Sequence, residues 1–408
     1  MTAAAVAGAQ VGTLLDPATI RRRCANILAA ADAGEAGHFR VDRGRVAAAA
    51  DRVARVTRRR YPDLAIPYHS RWRHFEAGGV DRAAALARAL AGRDAAACAR
   101  ARIDLAVISV LLDAGAGAAW RYVEPETGQS FMRSEGLGVA SFRAFMAGAF
   151  SAHADDPLRV DAAALRDVDA ASLARVFQAS DTNPLVGLDG RAALLRRLGG
   201  ALATKRQAFG ALARPGGLFD TLTAGARTTL SATALLQTLL DALSGIWLAG
   251  NTQDGVALGD TWRHPRAGGD GATAGWVPFH KLSQWLAYSL FEPFEWAGVT
   301  IAGGDALTGL PEYRNGGLLL DTGVLTLVDA AAARAPLAVG SETVVEWRAL
   351  TVALLDDVAA QVRQRLARPD LPLACVLEGG TWAAGRELAQ ELRGGDPPLA
   401  IASDGTVF

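Results

Sequence analysis

Apolar residues recur at helical spacing along most of this chain, which predicts a mainly α protein. The pattern is densest over residues 276 to 325. There Phe279, Leu282, Trp285, Leu286, Ser289 and Leu290 fall on one stripe, and Lys281 lies at its edge on the flank of Trp285 and Tyr288. Pro278 is expected as the first helical residue, because its missing N–H would have no partner there anyway. After Ile301-Ala302-Gly303-Gly304, Pro311 is expected to open a second helix with Glu312 in its first turn, where the helix dipole favours a carboxylate. Asp321-Thr322-Gly323 supplies the stop.

The remaining pattern extends this picture. Two arginine-rich helical stretches cover residues 17 to 60, the first opened by Pro17, with His38 to Asp42 an extended link. Helical signal resumes from Val80 to Leu112, and Asp104 to Tyr122 begins as an almost wholly apolar helix that belongs in the core. Arg133-Ser134-Glu135-Gly136 reads as a helix start, and 161 to 213 as helical with a turn at Asp181-Thr182-Asn183-Pro184. Ser341 is a plausible N-cap for a long amphipathic helix to Ala367. Beyond it the runs LACVLEG and LAIAS have strand length, and Asp404-Gly405 suits a hairpin turn. The expected organisation is an all-α domain over 1–366 and a small α/β extension over 367–408. Gly379-Gly380-Thr381 is read either as a tight strand-to-helix link or as a cradle for an anion.

Composition sharpens the chemistry. Half of the 408 residues are hydrophobic and 21% are charged, as in soluble globular chains. Formal charge is zero, with 42 acidic and 42 basic residues, which disfavours a nucleic-acid partner. Cys24, Cys98 and Cys375 are widely spaced and in no CxxC pair, against both a disulfide framework and a zinc site. No leader sequence and no membrane span is read, so the expected compartment is the cytoplasm. Among the basic residues only Lys205 and Lys281 are lysines in an alanine- and glycine-rich chain. Where arginine replaces lysine almost everywhere, a surviving lysine either is an ordinary surface residue or supplies a compact ammonium whose pKa can move.

These features nominate a site. Lys281 and Glu312 are expected to face one pocket, with Glu312 the chemical group. Ile66 to Arg82 packs His69, His74, Arg71, Arg73 and three aromatics into one loop, dense enough to suit a polar ligand. The bland alternative is that the rings anchor the loop and the charges face water. Trp120-Arg121-Tyr122 follows, and Ser134 or Glu135 is expected beside it. No acidic or cysteine partner stands at ligand spacing from His69 and His74, so no metal is expected, and neither a dinucleotide loop nor an EF-hand is present. No cofactor is expected.

The stretches IPYHSRWRHFEAGG, LDAGAGAAWRYVEPETG, LPEYRNGGLLLDTGVL, LEGGTWAAGRELA and SDGTVF resemble the uracil-catabolism protein family over nearly the full length. That family is associated with a route in which uracil becomes a nucleotide, a GTP-cyclohydrolase-II-like enzyme opens its ring, and urea is released. More distantly, residues from about 38 to 366 are similar to the queuosine 5′-phosphate N-glycosidase (queuosine salvage) family, at VPFHKLSQWLAYSLFE, LTGLPEYRNGGLLLDTGVL and VVEWRALTVALL. This second resemblance implies an all-α, DNA-glycosylase-like fold. It puts that family's lysine on Lys281 and its catalytic aspartate on Glu312, here the longer carboxylate. The C-terminal extension has no counterpart there.

Together the resemblances imply hydrolysis of a ribosylurea, with or without a 5′-phosphate, to urea and ribose or its phosphate. Glu312 would stabilise the sugar cation and deprotonate water. His69, Trp120, Arg121 or Tyr122 would donate to the leaving urea, and Arg71, Arg73 or Arg314 would hold a phosphate. Lys281 would pair with that phosphate or tune Glu312. Tyr313 and Glu135 complete the candidate contacts. Two other readings are an amidohydrolase attacking the ureido carbonyl, and a non-catalytic nucleotide-binding subunit of the ring-opening enzyme. A DNA glycosylase is the weakest, given the charge.

Overall fold

Helices in this chain start where a side chain can accept a backbone N–H. The computed structural model describes residues 8, 10–35, 37–113, 115–117, 119–331 and 335–402. In it Asp16 accepts from Ala18 N at the head of α1 (Pro17–Asp32), with Pro17 first as expected. A turn in which Asp42 accepts from Gly44 N leads to α2 (Val46–Arg60). Asp94 accepts from Ala97 N ahead of α3 (Ala95–Leu111). Then come α4 (Arg133–Met146), α5 (Leu188–Thr204) and α6 (Ala232–Leu243), the last capped by Ser231. The principal helices end with α7 (Lys281–Glu295), α8 (Tyr313–Asp321), α9 (Glu342–Leu366) and α10 (Trp382–Arg393). The protein is mainly helical, and its strands form two-stranded pairs.

The chain divides into two compact units. The first comprises Met1–His69, Asn251–Gln284 and Gly303–Ala402, and the second, among the described residues, Ser70–Gly250 and Trp285–Ala302. The first turn of α7 is thus counted with the first unit and the remainder with the second.

In the first unit α9 packs on α1 and α2, and α8 packs on α10. The link read at His38 to Asp42 is a strand, Phe39–Val41, antiparallel to Leu325–Leu327 just beyond the stop after α8. Gly323, at φ 75°, provides that stop. Three expectations fail here. Pro278 ends a strand, Trp276–Pro278, opposite Thr261, and α7 begins three residues later. The reason is Asp260: its backbone oxygen accepts from Phe279 N (2.9 Å) and His280 N (3.1 Å), and its carboxylate from Lys281 N (3.0 Å), so the helix starts at that anchor. Pro311 likewise precedes α8, which opens at Tyr313 with Glu312 as N-cap.

The third correction concerns the tail. LACVLEG is helical, running from Leu373–Val376 through a π-helical turn, Leu377–Thr381, directly into α10. A short apolar run fits a buried helix as well as a strand. Gly379-Gly380-Thr381 therefore lies inside a helical run, which removes both the strand-to-helix link and the anion cradle. A β-carbon on Gly380 would stand 2.6 Å from both the Val53 carbonyl oxygen and Thr57 Oγ1, so these glycines serve close helix packing. Of the α/β extension, Ile401–Ala402 forms a strand, parallel to Leu337–Ala338. The Asp404-Gly405 turn lies outside the described residues.

In the second unit α3 is buried over almost every face, as its pattern predicts. Its Asp104 carboxylate pairs with Arg214 and accepts from Val160 N (2.9 Å) and Gly216 N (2.6 Å). Pro293 within α7 lacks the N–H that would reach the Ser289 carbonyl. That oxygen instead accepts the indole N–H of Trp72 at 2.9 Å.

Candidate functional site

Glu312 stands just outside α8 and turns its carboxylate back onto it. Oε2 accepts from Arg314 N at 2.8 Å and Oε1 from Asn315 N at 2.6 Å. An N-cap carboxylate satisfies two of the helix's unpaired donors and meets the positive end of its dipole. The group is thereby held in one orientation, half-buried, with further lone pairs on each oxygen still available. Asn315 beneath it is fully buried and donates to the Leu310 carbonyl at 3.1 Å.

Two residues along, Arg314 is 5% exposed and its guanidinium lies 4.2 Å from the ring centre of Trp382 and 5.0 Å from that of Tyr313. Such stacking contributes about 0.5–2 kcal/mol and does not itself consume the N–H donors. The same indole carries Arg386 at 5.5 Å. The His69 ring lies 6.1 Å from Trp382. His69 is itself buried, with Nδ1 2.9 Å from Glu378 Oε2. Arg60 (2.8 Å) and the Tyr61 hydroxyl (3.1 Å) donate to the other Glu378 oxygen. Burial alone would raise the Glu378 carboxyl, but His69 and Arg60 outweigh it and hold it below the usual carboxylate range. One carboxylate oxygen on Nδ1 fixes the imidazole plane and turns Nε2 the other way. Glu378 sits on the π-helical turn, a distortion frequent at functional sites.

Lys281 is half-buried at the start of α7, its N–H on Asp260. Burial would raise the Asp260 carboxyl, yet two hydrogen bonds from Arg348 (2.8 and 2.7 Å), with Lys281 N and the Trp262 indole, hold it at about 2. Within the same turn, Gln284 accepts from Thr308 N (2.9 Å) and donates to Thr308 Oγ1 (2.7 Å). The helical turn bearing Lys281 is thus tied to the short segment that runs into Glu312. His69, Lys281, Glu312, Tyr313 and Arg314 all belong to the first unit.

The other nominated residues belong to the second unit. Arg71 is fully buried, 3.1 Å from Asp113, with Nε donating to Ser109 Oγ at 2.6 Å and a guanidinium nitrogen donating to the Ser134 carbonyl at 3.2 Å. Burial lowers its pKa, an effect that Asp113 and Glu135 oppose. Arg73 is held by Glu76 (2.6 Å) and Glu292 (2.7 Å). The fully buried Trp120 gives its indole N–H to the Phe177 carbonyl at 2.9 Å. Arg121 is exposed, and Tyr122 is buried on a short strand with its hydroxyl pushed up to about 12 by burial. Glu135 is half-buried in the first turn of α4.

Glu378, Trp382 and Gln284 went unnamed in the sequence reading. Glu378 and Trp382 lie inside LEGGTWAAGRELA, a stretch that carried the resemblance, whereas nothing singled out Gln284 on its apolar helix. Among the described residues His38, Glu342 and Glu346 lie close enough to share a cation. Glu346 is committed, however, accepting from His38 N (3.1 Å), Phe39 N (2.8 Å) and His264 Nε2 (3.2 Å). No helix among the described residues is long and apolar enough to cross a membrane.

Residues 13–408 match the family described as "Protein of unknown function (DUF1688)". The chain is 40% identical over 411 residues to Uracil catabolism protein 4 of Lachancea kluyveri, covering 92% of this chain and 93% of that one. It is 39% identical over 411 residues to Protein urg3 of Schizosaccharomyces pombe, covering 98% and 99%. With likeness spread over nearly the whole length, the resemblance to the uracil-catabolism protein family is borne out, and the chain belongs to the DUF1688 family.

Proposed function

We propose that this protein is an N-glycosidase of uracil catabolism that hydrolyses a ribosylurea to urea and ribose, or the 5′-phosphate of each sugar. The observation that carries the reading is the Glu312 carboxylate, pinned by two backbone N–H groups two residues before a buried guanidinium. A similarity of about 40% to Uracil catabolism protein 4 supports the pathway. The DNA-glycosylase-like label is part of the same proposal, supported by the mainly helical fold and the match at LPEYRNGG.

In this reaction the C1′–N bond breaks as positive charge grows on the sugar, and a fixed carboxylate stabilises it. Water oxygen bonds to C1′ and passes a proton to Glu312, a general-base contribution of about 10²–10⁴-fold. The electron pair of the broken bond goes to the urea nitrogen, which needs a proton to leave. His69, oriented by Glu378, is the donor we assign to it. Lys281 pairs with substrate phosphate or sets the charge around Glu312. The substrate would come from a reaction that opens the uracil ring, the chemistry of a GTP-cyclohydrolase-II-like enzyme.

The test incubates synthetic ribosylurea and its 5-phosphate with the purified chain, with products read by mass spectrometry. Urea and ribose or ribose 5-phosphate are expected, with turnover lost in Glu312→Gln. Ammonia and carbon dioxide would mean attack on the ureido carbonyl instead. Ligand-induced stabilisation without turnover would mean a binding subunit.

A further inference from the structure

A buried guanidinium brings five N–H donors into a place where each needs an acceptor. Each of the other buried arginines meets part of that demand with at least one protein acceptor, although Arg23, Arg71 and Arg348 each keep one buried nitrogen unmatched. Arg71 pairs with Asp113, Arg82 with Glu124, Arg214 with Asp104 and Arg348 with Asp260. Arg23 and Arg191 bond carbonyl oxygens, those of Ala267 and Leu112 among them. Arg314 is as deeply placed, at 5% exposure, yet among the described residues no carboxylate, carbonyl or hydroxyl accepts from its guanidinium. Its guanidinium carbon stands 4.2 Å over the centre of the Trp382 ring, a platform that restricts the fork without using its N–H donors.

The surroundings point to an anion. Two nearby carboxylates are spoken for: Glu312 by its own helix, and Glu378 by His69, Arg60 and Tyr61. The Arg314 and Asn315 N–H groups at the head of α8 are taken by Glu312, so the subsite is argued from the guanidinium and not from the helix terminus. Arg386 brings a second guanidinium to the same indole. A planar fork with unused donors matches the oxygens of a phosphate monoester or a carboxylate.

We infer that Arg314, stacked on Trp382, is an anion subsite built jointly by α8 and the C-terminal helix α10, and that its ligand is a phosphate monoester. This deepens the proposed function, on which it rests for the identity of the whole ligand: the substrate is the phosphorylated ribosylurea, and the C-terminal extension is needed to recognise it. Phosphate binding itself requires no turnover, which keeps the two readings separable.

The experiment titrates inorganic phosphate into the full chain by calorimetry and thermal melting at constant ionic strength, with acetate as the carboxylate arm. Saturable binding and a rise in Tm are expected with phosphate and not with acetate. Arg314→Gln should weaken the affinity at least tenfold, and Arg314→Lys, which keeps a cation in the same volume but loses the fork, should weaken it measurably. The inference is overturned if phosphate has no saturable effect, if acetate replaces it, or if a folded Arg314→Lys chain binds phosphate unchanged. Phosphate binding without turnover of any ribosylurea would sink the reaction and spare the subsite. Turnover of unphosphorylated ribosylurea without phosphate binding would do the reverse.

Discussion

A β-carbon on Gly385 would fall well inside van der Waals contact of the Arg314 carbonyl oxygen, so α10 lies directly on the first turn of α8. Alanine in a helix interior usually stabilises by up to about 1 kcal/mol relative to glycine. Here the added methyl must displace backbone, and overpacking of that kind costs about 1–3 kcal/mol. Gly385→Ala should therefore lower the urea midpoint and weaken phosphate binding together. A raised midpoint would show that the two helices are not in this contact.

Asp260 holds Arg348 and the first N–H of α7 at once. Its folded pKa, about 2, is below the ordinary value of about 3.9. The stabilisation is thus fully present above roughly pH 4 and lost as pH falls toward 2. Asp260→Asn leaves Arg348 buried without its counter-charge, a loss of about 3–5 kcal/mol. Chemical denaturation between pH 2 and 7 should show that this variant has lost part of the wild type's acid sensitivity, and an unchanged pH profile would refute the assignment.

Glu312 has two duties that substitution can separate. Aspartate is a favoured N-cap, so Glu312→Asp should keep stability within about 0.5 kcal/mol while the shorter reach lowers turnover. Glu312→Ala should lose turnover by about 10²–10⁴-fold and also about 0.5–2 kcal/mol of stability. Denaturation midpoints beside urea release give both numbers, and an aspartate variant that is fully active would remove the demand for exact placement.

His69 and Glu378 are predicted to be coupled. A double-mutant cycle with His69→Ala and Glu378→Gln should return an interaction of about 0.5–3 kcal/mol at neutral pH. Because the Glu378 carboxyl is held below its ordinary value, its contribution is full above about pH 4.3 and fades as pH falls below that. Additive single and double variants would mean that the contact carries no energy.

Much of this protein is written in short-range pattern. The stripe through Trp285 and Leu290, Pro17 at the head of α1, the apolar run from Asp104 and the Gly323 stop act over a few residues, so α1, α3, α7 and α8 are legible before any folding is considered. Glu312 and Arg314 stand out for a related reason, since they lie in one recognisable run beside a helix start.

Other features rest on partners far away in the chain. Pro278 could have opened a helix; it closes a strand because Thr261 pairs with it and Asp260 collects the next N–H groups. LACVLEG could have been a strand; it is helical because Gly379 and Gly380 fit against Thr57 and Val53, more than 300 positions earlier. The candidate site divides in the same way. Amino-acid order marks where a carboxylate and a guanidinium stand, but whether a buried charge is already matched depends on every neighbour folding brings within about 4 Å, and those neighbours answer to packing rather than to adjacency along the chain.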